Sequence, residues 1–171
     1  MWRILVNALL FDIAWPLCVL VDNLALVCAF TLLNLYVHLR FIANLPHEFL
    51  WVGMIWVFGV LIDGFLFSQG LMINIDGSKF PPFWLLLLWV NFAMALRYAF
   101  FFLQKNLWLA AAVGGVAGPF SYYMGAWLNG TVMFREPVVL SLAVLSLVWA
   151  LFLPLVAWLA RGSLFSRVGY A

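Results

Sequence analysis

A chain of 171 residues that is 68% hydrophobic and 8% charged, with a mean hydropathy of +1.15, lacks the polar side chains to coat a water-soluble fold. Soluble domains are about half apolar and a quarter charged, so something other than water must solvate this one; at ~20 residues per crossing the length suits one membrane domain of five or six spans. The net charge of +2 is small and scattered, which excludes a nucleic-acid partner. Cys18 and Cys28 lack CxxC spacing, so they predict buried free thiols rather than a redox pair or a zinc site.

In chain order, Met1-Trp2-Arg3 followed by an apolar run mimics a signal peptide. The run continues without an A-x-A-like site, and a retained first helix is expected. Interruptions by charge, Pro and Gly then place spans at 4–21, 24–40, 49–67, 83–103, 107–128 and 138–160, all within a single domain over 1–171. The connections 68–82 and 129–137 read as loops, with Pro81-Pro82 and Pro137 suited to helix starts. Helices are expected because backbone amides in lipid must be satisfied within the segment, and the runs lack a barrel's alternation.

Basic residues set the direction. Six spans with the N-terminus inside put Arg3, Arg40, Lys105, Arg161 and Arg167 on the cytoplasmic side and only Lys79 and Arg135 outside. That asymmetry follows the positive-inside rule and predicts both termini in the cytoplasm. Trp2, Trp51, Trp84, Trp108, Trp127 and Trp158 fall near span ends, where interfacial indoles sit; Trp15, Trp56, Trp89 and Trp149 lie deeper and are expected between helices.

Polar residues within spans are the site candidates, because an intramembrane ionisable group is costly. Asn7, Asp12, Asn34, His38 and Arg97 are predicted to share a layer in the cytoplasmic half, with Asp12 and Arg97 paired. In the outer half, Asp63 lies level with Ser121 and Tyr122. There Gly114 and Gly118 form a GxxxG helix contact, and Pro119 frees a carbonyl; Ser121, Tyr122 or Tyr123 is expected either to satisfy it or to hydrogen-bond Asp63. Each layer admits two readings, a structural join between helices or a ligand or catalytic site. His47-Glu48 reads as a solvated surface pair. Two histidines cannot build the boxes of membrane desaturases, and no HExxH, GxSxG or Walker sequence occurs.

Three segments carry a resemblance: Asn7 to Trp15, Pro82 to Ala93, and Gly114 to Tyr122 with its Gly-Pro-x-Ser-Tyr element. Together they resemble a bacterial family of small polytopic inner-membrane proteins, catalogued as a domain of unknown function, over nearly the whole chain. Members of that family are often encoded near cyclopropane-fatty-acid-synthase-like methyltransferases and flavin-dependent oxidoreductases. The resemblance thereby implies a role in membrane-lipid modification or the response to membrane damage. Many members carry Asn-His-Ser after the fourth-span motif, where this chain has Arg97, Tyr98 and Ala99.

The expectation is therefore an all-α, polytopic transmembrane bundle of about six spans, N-in and C-in, in a bacterial inner membrane. Its leading function is a non-catalytic accessory to membrane-lipid modification or envelope maintenance. The alternatives are a small-molecule binding or transport component that uses the intramembrane Asp and Arg residues, and an intramembrane lipid-modifying enzyme. Membrane lipid and another membrane protein are the partners to expect, with no cofactor and no metal.

Overall fold

The structure, a computed structural model, describes residues 2–162 and 164–165. The chain is an all-α bundle of α1 (Trp2–Leu20), α2 (Leu24–Val37, continued by a π-helical turn His38–Ile42), α3 (Glu48–Ser68), α4 (Phe83–Arg97), α5 (Phe101–Lys105), α6 (Leu107–Asn129) and α7 (Val138–Arg161). Among the described residues α1, α2 with its π turn, α3 and α7 are long and apolar enough to cross a membrane. At 23 residues α6 matches them in length, with a hydropathy diluted by its glycines, Pro119 and tyrosines. The protein is a multi-pass membrane protein, and its outer surface is of the corresponding kind: Leu5, Leu9, Leu32, Leu61, Val116 and Leu151 are all exposed.

Helix starts follow local chemistry. The side-chain oxygen of Asn23 accepts from the Leu26 N–H at 3.1 Å, and that of Asn106 accepts from Trp108 and Leu109 at 3.0 and 3.1 Å, so each supplies an orphan donor of the first turn with a partner. Pro82 and Pro137 stand at the caps of α4 and α7. Gly130 ends α6 in the left-handed conformation at φ 72°, where a Cβ would be strained.

Two expectations need correction. The apolar run 83–103, read as one span, breaks at Tyr98–Phe100 into α4 and α5. The side chain responsible is remote in sequence: Asn7 Oδ1 accepts the Ala99 N–H at 3.1 Å, giving a partner to an amide the broken helix releases. The connections 68–82 and 129–137 are also more than loops, since β1 (Met72–Asn74) and β2 (Val132–Phe134) pair antiparallel with Ile73 opposite Met133. Both connections meet at one end of the bundle, where each strand meets the other's backbone hydrogen-bonding need; three residues apiece leave no sequence period to detect.

The helices alternate in direction. Their N-terminal end gathers the start of α1, the end of α2, the start of α3 and the end of α4; the other end carries the strand pair. Helix α4 is the hub, packed on α1, α2 and α3, whereas α6 and α7 form an intimate antiparallel hairpin. A stack of rings joins the two halves. Trp89 of α4 and Trp149 of α7 lie nearly parallel, 11° apart with centroids at 5.4 Å. Glycines flank them: a Cβ on Gly59 of α3 would stand 2.1 Å from Trp89, and one on Gly118 of α6 would stand 2.3 Å from Trp149. Trp51, expected at an interface, is fully buried instead, its indole N–H donating to the Ala93 carbonyl at 2.9 Å. Trp2, Trp108, Trp127 and Trp158 are well exposed. Cys18 and Cys28 are free thiols, the first buried as expected and the second only partly so.

Candidate functional site

At the N-terminal end one carboxylate organises five chain segments. Glu48 opens α3, where the positive end of the helix dipole favours an acid. Arg97 Nη1 donates to Glu48 Oε2 at 2.6 Å, Tyr98 Oη to the same oxygen at 3.2 Å, and His38 Nε2 pairs with Oε1 at 2.9 Å. With its Nε2 proton directed at Glu48, His38 leaves Nδ1 to accept from Asn7 Nδ2 at 3.4 Å. Arg97 also donates to the carbonyls of Pro46 and Phe165, and its guanidinium lies over the rings of Trp51 and Phe165. All of these side chains are buried, and a charge held so far from water requires its partner.

The predicted cytoplasmic layer is thus brought together in part. Asn7, His38 and Arg97 meet through Glu48, contrary to the expectation of a solvated His47-Glu48 pair; His47, beside it in sequence, is exposed at the α3 cap with φ 55°. Arg97 pairs with Glu48 and not with Asp12, which lies exposed on α1. Asn34 belongs to a separate ladder: its Nδ2 donates to Asn91 Oδ1 at 2.7 Å, and Asn91 Nδ2 donates to Thr31 Oγ1 at 3.1 Å, joining α2 to α4. Asn91 satisfied the same rule that singled out Asn34, a polar amide within an apolar run. Glu48 was hidden by its place at a span edge, because its partners come from remote segments.

In the other half, Asp63 of α3 is completely buried between two donors, with Tyr122 Oη at 2.5 Å and Trp89 Nε1 at 2.6 Å. Ser121 lies elsewhere, accepting from Trp15 Nε1 at 2.9 Å. The carbonyl that Pro119 deprives of its helical donor, that of Gly115, accepts from Ser146 Oγ of α7 at 2.7 Å rather than from Ser121 or the tyrosines. A side chain across the GxxxG contact is nearer than any on α6 itself. Asp63→Asn keeps the shape and insertion but turns an NH2 toward one of the two donors, at a cost of about 1–3 kcal/mol. A lowered midpoint of thermal unfolding in detergent is the expected result; an unchanged midpoint would show that both donors find other partners.

Beside this cluster lies a cavity of about 220 Å³ between α1, α4, α5, α6 and α7. Its walls are rings and aliphatic chains, among them Phe11, Trp15, Trp89, Phe92 and Trp149. Apart from Ser121 and the edge groups of Trp15, Trp89, Tyr122 and Trp149, it is apolar. Its lining residues on α6 run from Val113 to Tyr122, so it extends about 14 Å along that helix. Ala117 and Phe102 line it and are exposed, so the cavity opens through the side of the bundle. Of the expected site residues, Ser121, Tyr122, Gly114 and Gly118 line it; Asn7, Asp12, Asn34, His38, Arg97, Asp63 and Pro119 do not.

Residues 4–155 match the model of a family described as a protein of unknown function, DUF2878. The chain belongs to this family. No curated protein and no solved structure matches it. Family membership covers all three resembling segments and brings no activity with it. Arg97 and Tyr98 stand in the Glu48 cluster, and the Ala99 amide is the one held by Asn7.

Proposed function

We propose that this protein is a non-catalytic lipid-handling component of membrane-lipid modification or envelope maintenance, holding one acyl chain in the lateral cavity. The observation that carries the reading is the form of that cavity: apolar, about 14 Å long, and open sideways at Ala117 and Phe102. Its volume exceeds the ~150 Å³ of an apolar cavity able to hold benzene. Lipid tails are as apolar as the protein interior, so retention must come from close packing against the ring-lined walls, not from expulsion of water. The basic residues Arg3, Arg40, Lys105 and Arg161 favour a six-span arrangement with that end in the cytoplasm. The resemblance supports a bacterial inner membrane. Transport and enzyme readings draw less support, because Arg97, Asn34 and Asp63 are engaged in separate internal clusters and none lines the cavity.

The test is photolabelling in vesicles with a phospholipid bearing a diazirine near mid-chain. Adducts should concentrate on the lining residues Phe11, Trp15, Val113, Ser121 and Tyr122. Ala117→Trp, which plugs the mouth without entering a helix contact, should cut that labelling about tenfold, or ~1.4 kcal/mol of binding. Labelling no denser there than at outward Val116 and Leu151, or indifferent to Ala117→Trp, would remove the reading.

A further inference from the structure

Helix α1 carries a carboxylate that the fold leaves outside. Asp12 lies ten residues beyond Trp2, about 15 Å along the helix, or half of a ~30 Å hydrocarbon layer. The buried residues of α1 are Asn7, Ala14, Cys18 and, near its end, Val19. Leu5, Leu9, Ile13 and Leu20 form the opposite, exposed face, and Asp12 is exposed at its edge. Among the described residues it has neither a hydrogen-bond donor nor an ion-pair partner. Four residues on, Pro16 has no N–H to offer the Asp12 carbonyl, so a second acceptor lies at the same level. Charged side chains at such depth face a bundle interior or pair with one another; this one faces lipid.

We infer that this face of α1 docks a membrane-spanning helix of a partner protein, one with an Arg or Lys at mid-membrane for which Asp12 is the counter-charge. A cation with several N–H groups suits the two acceptors, and Leu5, Leu9 and Ile13 supply the apolar strip along which helices pack in lipid. A second copy of this chain is a poor occupant. Among the described residues its one buried cation, Arg97, ends α4 at the far end of the bundle from mid-membrane, is 2% exposed and is bound to Glu48. Arg3, Arg40, Lys79, Lys105, Arg135 and Arg161 all lie at helix ends or in connections. Two α1 faces set together would oppose Asp12 to Asp12.

The experiment is energy transfer in vesicles between the labelled full chain and a single-span Leu/Ala peptide with one central residue, either Arg, Leu or Glu. The Arg peptide is expected to associate about tenfold more tightly than the Leu peptide. Asp12→Asn should abolish that difference without changing thermal unfolding, and Asp12→Lys should transfer the preference to the Glu peptide. Equal binding of Arg and Leu peptides, or a preference that survives Asp12→Asn, overturns the inference. So does self-association without peptide that Asp12→Asn removes, since that would make a second copy the occupant.

Discussion

Glu48→Ala is expected to lower stability by about 3–5 kcal/mol, the usual cost of removing one partner from a buried ion pair. The size follows from what remains. Arg97 stays 2% exposed beneath Trp51 and Phe165, with a charge that carbonyl oxygens alone must balance, while Tyr98 and His38 lose their shared acceptor. In detergent the variant should give a sharply reduced folded yield and an earlier unfolding transition. The double variant Glu48→Gln with Arg97→Gln removes both charges and should recover part of the loss. A double variant worse than the sum of the singles would instead mean that the cluster acts by shape. Glu48→Ala melting with the wild type would show that water or another carboxylate takes the arginine.

The second large effect belongs to the α6–α7 contact. At Gly114 an added Cβ would fall 2.3 Å from the Trp149 carbonyl oxygen, a backbone atom that cannot rotate away. Gly114→Leu should therefore force the hairpin apart and prevent recovery of folded protein. Gly118→Leu meets the Trp149 ring instead and should cost at least the ~1–3 kcal/mol typical of overpacking, with Trp149 expelled from its stack on Trp89. Gly115 is the internal control. Its Cβ would lie 3.4 Å from Ala150 and Ser146, a tight but yielding contact, so Gly115→Ala should change the unfolding midpoint little. Thermal unfolding of the purified variants tests all three; normal yield of Gly114→Leu would mean that the helices do not approach this closely.

The helices were legible in the sequence because lipid imposes a local demand: each run must be long, apolar and internally hydrogen-bonded. GxxxG marked a close contact for a similarly local reason, and Asp63 and Tyr122 were placed at one level by residue count alone. Partners were another matter. Depth along a helix says which residues share a layer but not which way they face, and that is where Asp12 and Arg97 part: one is exposed, the other sealed against Glu48. The break at Tyr98–Phe100 has no Gly or Pro to announce it and depends on Asn7, 92 residues away. Ser146, which serves the carbonyl freed by Pro119, lies on a different helix, as do the indoles that rest on Gly59 and Gly118. What escaped the sequence was tertiary in each case.

The Glu48 cluster also bears on how the protein is made. Glu48 precedes Arg97 by 49 residues, which at ~5–20 residues per second is several seconds of synthesis. During that interval the carboxylate must wait at the membrane surface, held by the nearby His38 at most. Arrival of the end of α4 neutralises it, and the carbonyl of Phe165, a further 68 residues on, reaches the guanidinium only after α7 has been made. Closure of this end of the bundle is therefore ordered by translation, and a ribosome stalled within α6 would leave Arg97 paired but uncapped.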